Sequence, residues 1–162
     1  MGIFPGNERQ ARCLSYAESE RRARRLSYEK TKRARRPRYY KMDSRKLATL
    51  CRDLAENKKA DNVVVLDVRK ISSITDYFVI VSGTSEPHLR AISDEIIDKL
   101  HEEHGIKPRA VDGTLQTNWL VLDFFDVIVH VMRDEVRERY DLEGLWGDAP
   151  KVRARRKTTA QA

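Results

Sequence analysis

Hydrophobic positions along the chain fall into two periods, and their alternation predicts an ordered domain beginning near Met42. After Asp43 or Ser44, either of which can cap a helix, Leu47, Leu50, Cys51 and Leu54 recur at helical spacing among charged residues. Asn62 to Val68 (NVVVLDV) is a nearly continuous β-branched run, the mark of a central strand covered on both faces. Arg69 to Thr75 is a polar loop, and Tyr77 to Ser82 (YFVIVS) is a second strand. Ser85 or Thr84 caps a helix that starts near Glu86, with Pro87 in its first turn and a stripe of Leu89, Ile92, Ile96, Ile97 and Leu100. Gly105 and Pro108 are its stop signals. Arg109 to Val111 reads as a short edge strand ending at Asp112 and Gly113. Trp119 to Leu122 and Val127 to Met132 then form a hairpin around Asp123, Phe124, Phe125 and Asp126. A short helix over Asp134 to Tyr140, with acids in its first turn, leads to Leu142, Leu145 and Trp146. The order α-β-β-α-β-β-β-α predicts an α/β (α+β) fold, a mixed sheet with flanking helices.

The hairpin tip is unusual. Turn tips favour small polar residues, so two adjacent phenylalanines are expected to leave at least one ring facing water. Trp119 and Phe124 are on this ground the expected anchors of an interface, and Phe124→Ala is expected to leave thermal stability nearly unchanged. His130 interrupts an apolar strand with a titratable ring; it reads as a core histidine bonded to a backbone carbonyl or as part of an interface patch with Trp119 and Met132.

Charge divides the 162 residues into three blocks. Residues 1–41 hold 13 Lys or Arg against 4 acids, residues 42–150 hold 14 against 21, and residues 151–162 hold 5 against none. The first block, with RRARRLSYEKTKRARRPRYY, is too polar to build a core and predicts disorder, with nascent helix around Ala17 to Lys32. It reads as an RNA-contacting arm, a basic tail that serves only solubility, an organelle transit peptide that Glu8, Glu18, Glu20 and Glu29 argue against, or a start-site extension upstream of Met42. The expected division is thus a basic extension over 1–41, a domain over 42–148 and a basic disordered tail over 149–162. No apolar run is long enough to cross a bilayer, and Cys13 and Cys51 have no metal-like spacing, so a soluble protein of a reducing, intracellular compartment is expected, with no membrane partner.

Candidate chemistry is sparse. Gly83-Thr84-Ser85 at a helix start could cradle a phosphate, but no Gly-Lys-Ser/Thr follows and a capping turn is the simpler reading. Asp67, Asp76, Asp123 and Asp126 lie at strand ends without the Asp-x-Asp pair that would set two carboxylates on one strand face for a metal. His101 and His104 lack a His-Glu-x-x-His arrangement. No cofactor, metal or nucleophile is expected.

Three ordered segments carry a resemblance: SSITDYFVIVSGTS (Ser72 to Ser85), NWLVLDFFDVIVHVM (Asn118 to Met132) and RERYDLEGLW (Arg137 to Trp146). Over residues 43–147 the chain resembles the ribosomal silencing factor, or Iojap-like, family. The resemblance implies a nucleotidyltransferase-like fold without catalytic carboxylates, and a non-enzymatic factor. Such a factor binds ribosomal protein fourteen of the large subunit, blocks joining of the small subunit and represses translation. It also implies a cytoplasmic bacterial protein, or a mitochondrial or plastid one if residues 1–41 are a transit peptide, with a homodimer as one state open to it off the ribosome. Trp119, Leu122, Phe124, Phe125, Asp126, His130, Met132, Tyr140 and Trp146 are the expected partner-binding residues. Two positions depart from the family pattern: Asp112 stands where Glu is usual, and Phe125 where Gly is usual. The alternatives are a metal-dependent nucleotidyltransferase-like enzyme and an RNA binder acting through the basic arms, which are expected to touch ribosomal RNA.

Overall fold

A computed structural model describes residues 42–153; the expectations for residues 1–41 and for the tail beyond Arg153 lie outside the described residues. Helix α1 spans Ser44–Asn57, capped by Asp43, whose carboxylate accepts from the Lys46 amide. Strands β1 (Asp61–Asp67) and β2 (Tyr77–Gly83) follow, then α2 (Glu86–His104), whose Ser85 cap and Pro in the first turn are as the sequence predicts. The helix ends at Gly105, which takes the left-handed φ of 65° that glycine tolerates best. Strand β3 (Ala110–Thr114) and a 3₁₀ turn (Leu115–Thr117) lead to the hairpin β4 (Trp119–Asp123) and β5 (Val127–Arg133), and the short helices α3 (Asp134–Tyr140) and α4 (Leu142–Leu145) complete the order.

Among the described residues the strands form one mixed sheet in the order β1-β2-β5-β4-β3, with only the β2–β5 pair parallel. Alternation of side chains separates two cores. On one face Val79, Val81, Val127, Val129, Val131, Leu120 and Leu122 pack against Leu47, Ala48, Cys51 and Ala55 of α1 and Leu89, Ile92, Ile96 and Leu100 of α2. On the other, Leu66, Phe78, Ile80 and Met132 are covered by Val136, Leu142 and Trp146 and by the chain that follows. A buried guanidinium fixes that cover: Arg137 Nη1 donates to Ser82 Oγ at 2.8 Å, and the same group pairs with Glu143. Glu143 is held below the ordinary carboxylate range: burial opposes the shift, and hydrogen bonding and attraction to Arg137 outweigh it.

Three expectations need correction. The apolar run of β1 is an edge strand, not a central one. Val65 and Leu66 are buried because a strand can have both faces covered while one edge stays open, and that edge is closed by the end of the domain. The Asp67 amide donates to Pro150 O at 3.0 Å and the Val152 amide to Val65 O at 2.8 Å. Packing therefore continues past residue 148, with Ala149 only 7% exposed. Strand β3 also continues through its expected end at Asp112 and Gly113 to Thr114, which pairs with Trp119; Asp112 and Gly113 pair with Val121 and Leu120, and Gly113 holds a φ of 87° where a Cβ would overlap the Trp119 carbonyl oxygen.

Candidate protein-docking face

The hairpin delivers its side chains alternately to the two faces of the sheet. Leu120 and Leu122 of β4 point toward α1 and α2, and Phe124, two residues further on, continues that inward set, so its ring is fully buried in the same core. The expectation of an exposed Phe124 is overturned. What lies at the tip is Phe125, in the left-handed conformation at φ 66°, its amide donating to Asp123 Oδ1 at 2.8 Å and its ring beneath the Arg109 guanidinium at 5.5 Å. Asp126 is buried as well, and its carbonyl accepts from the Asp76 and Tyr77 amides, tying the tip to the start of β2.

Trp119, Val121 and Asp123 of β4 and Ile128, His130 and Met132 of β5 occupy the opposite face. Register extends this face across the sheet, with Asp112 opposite Val121, Val121 opposite His130 and His130 beside Ile80. Helix α3 packs on β2 and β5. Toward β3 the face grows open: Val121 is half-buried and Asp112 exposed.

Aromatic rings run across it in one connected arc. Trp146 meets Phe78 at 5.1 Å between centroids, Phe78 meets His130 at 5.4 Å, His130 meets Trp119 at 5.8 Å, and Trp119 meets Tyr140 at 4.9 Å. Tyr140 is 54% exposed and forms the arc's outer end. Trp119 Nε1–H donates to His130 Nδ1 at 3.3 Å. Because the indole nitrogen can only donate, Nδ1 must accept, so His130 is the neutral tautomer protonated on Nε2. Burial, which disfavours the cation, pulls its pKa down to about 4. The Nδ1 partner is thus the indole and not a backbone carbonyl.

Of the nine expected partner-binding residues, the structure brings Trp119, His130, Met132, Tyr140 and Trp146 onto one face, Met132 buried beneath it. Leu122 and Phe124 lie on the other side of the sheet, and Phe125 and Asp126 at its end. Phe78, which joins Trp146 to His130, and Val121, in the open row, went unremarked in the sequence. The signal for both was the strand alternation that also places Phe124.

The remaining candidates have local roles. Ser85 Oγ accepts from the His88 amide and the Thr84 amide donates to His88 Nδ1, so Gly83-Thr84-Ser85 acts as a capping turn. Asp67 is bound by Arg69 and Asp123 by Arg109. Among the described residues no group of three or more His, Cys, Asp or Glu is placed to hold a metal ion. Cys51 is buried in the core, which raises its thiol pKa well above the ordinary value.

Residues 41–162 match the family model described as "Ribosomal silencing factor during starvation". The chain belongs to the ribosomal silencing factor family. It is 40% identical over 111 residues to the ribosomal silencing factor of Halalkalibacterium halodurans, covering 68% of this chain and 94% of that protein. It is 36% identical over 109 residues to that of Bacillus subtilis, covering 67% and 92%. A crystal structure from Chromobacterium violaceum superposes with a TM-score of 0.62 at 28% identity, covering 74% of this chain and 98% of that one. The mixed sheet with flanking helices is the fold of this family's solved members. Its aromatic arc draws on all three segments in which the family resemblance lies: Phe78 from Ser72 to Ser85, Trp119 and His130 from Asn118 to Met132, and Tyr140 and Trp146 from Arg137 to Trp146.

Proposed function

We propose that the chain is a non-enzymatic factor that docks on ribosomal protein fourteen of the large ribosomal subunit through the open face around Trp119, Val121 and Tyr140. Bound there, it keeps the small subunit from joining and so represses translation. One observation carries the choice of face. A row of half-buried aromatic and aliphatic side chains crosses the sheet and ends in the exposed ring of Tyr140, while the opposite face is covered by two long helices. Buried aromatic anchors concentrate interface energy, and Tyr140 and Trp119 are of the type enriched in such positions. Asp112, in the open row, and the acid excess of residues 42–150 suit a basic partner surface, and steer association more than they set final affinity. The cytoplasm of a bacterium is the compartment that this reading supplies.

Sedimentation with purified large subunits, paired with light scattering of subunit joining, tests it. Tyr140→Ala combined with Val121→Glu is expected to weaken subunit binding by about 2 kcal/mol or more, roughly thirtyfold, and to raise by the same factor the concentration needed to block joining. Both side chains reach solvent, so the melting temperature should change little. Wild-type binding by the double variant would place the docking surface on another face. Metal-dependent nucleotide turnover by the wild-type chain would overturn the non-enzymatic reading.

A further inference from the structure

The first and the last described turns of the chain meet. Asp43, just before α1, and Arg153, at the end of the segment that closes the β1 edge, line one groove of about 600 Å³. Arg45, Lys46 and Arg52 supply its other charges. Arg52 is a wall rather than a ligand-facing group, since its guanidinium is nearly buried and is bonded to Asp53 at 2.7 Å. The Asp43 carboxylate is engaged by the Lys46 amide. Arg45, Lys46 and Arg153 are exposed, and none of the ion pairs among the described residues uses them.

The groove therefore presents cations that make no ion pair among the described residues, on a domain in which acids outnumber bases 21 to 14 over residues 42–150. It is also where the two basic ends of the sequence join the domain. Beyond Arg153 come Arg155, Arg156 and Lys157, and before Asp43 lie the 13 basic residues of positions 1–41. Residues more than a hundred positions apart are brought to one place by the fold, and holding like charges together costs free energy that a polyanion would offset. A membrane surface suits the groove less well. Residues 151–162 contain one large aliphatic side chain, Val152, which already packs on the core, and an interfacial anchor needs an apolar face to insert.

We propose that this groove is a binding site for the phosphate backbone of RNA, with Arg45, Lys46 and Arg153 as the side chains that meet it. The ribosomal reading enters only in naming ribosomal RNA as the RNA met in the cell. Because α1 packs on the face of the sheet opposite Trp119, Val121 and Tyr140, the RNA-binding and protein-docking surfaces are separable by mutation.

The test uses the full chain, a short fluorescently labelled RNA duplex of arbitrary sequence, and anisotropy at a series of potassium chloride concentrations. Arg45→Glu with Lys46→Glu is expected to weaken RNA binding about tenfold or more and to lower the salt slope by about two, one for each cation that no longer neutralises a phosphate. Tyr140→Ala with Val121→Glu should leave both unchanged, so that failure of the protein-docking reading and failure of this one are told apart. Should the reversal pair melt early, Arg45→Gln with Lys46→Gln supplies the same comparison with a smaller drop and the same change of slope. Unchanged affinity and slope in a folded variant pair would overturn the proposal, because the arms alone would then account for binding. Binding to phosphatidylglycerol vesicles with none to RNA would overturn it as well.

Discussion

Phe124 and Phe125 are adjacent, chemically identical and structurally opposite, so truncating each in turn measures what the fold does to the same side chain. Phe124 is fully buried between β4 and the helical layer. Phe124→Ala removes an aromatic ring from a close-packed core, for which the loss of transfer free energy plus the cavity left behind amounts to about 3–5 kcal/mol. In a domain of this size each kcal/mol lowers the melting temperature by about 4 °C, so the expected fall is roughly 12–20 °C. Phe125 is only partly buried and holds a left-handed backbone at φ 66°. Phe125→Ala keeps that strain and forfeits the stacking on Arg109, a change of about 1 kcal/mol. Phe125→Gly also relieves roughly 1 kcal/mol of strain, offset by the greater freedom of glycine in the unfolded chain. Thermal and urea denaturation followed by circular dichroism would rank the variants. Equal effects of Phe124→Ala and Phe125→Ala, or a Phe124→Ala melting temperature close to wild type, would show that the ring does not reach the core and would refute the inward continuation of β4.

Three further outcomes follow from other parts of the domain. His130 has a pKa of about 4 when folded against an unfolded value near 6.5, so between those values the unfolded chain binds more protons. Stability should therefore fall by up to about 3 kcal/mol as pH drops from 6.5 to 4. His130→Gln, which can still accept from the Trp119 indole, should remove that part of the pH dependence in denaturation curves. Arg137→Met should lower unfolding free energy in urea by about 2–3 kcal/mol, because it leaves Ser82 and the partly buried Glu143 without their shared partner. Deleting residues 149–162 should unseal the β1 edge and produce concentration-dependent aggregation in light scattering, whereas deleting 154–162 should not.

Element order was legible in the sequence because each element carries a period and a stop signal of its own: the α2 stripe ends at Gly105, and acids open α3. What escaped were relations between elements. An apolar run such as Val63 to Leu66 reports that both faces of a strand are covered but not which strand lies beside it. The cover for the β1 edge comes from Pro150 to Val152, residues whose composition reads as tail. The tip misled for a related reason. Turn statistics describe four positions taken alone, while Phe124 belongs to a row begun at Leu120, and burial of a ring of that size outweighs the preference for a polar turn residue. The unfavourable φ then falls on Phe125, one position beyond the row. The same alternation that buries Phe124 turns Trp119, Val121 and His130 to the other side of the sheet. A docking face there can be altered at Val121 and Tyr140 without touching the core that holds β4 in place.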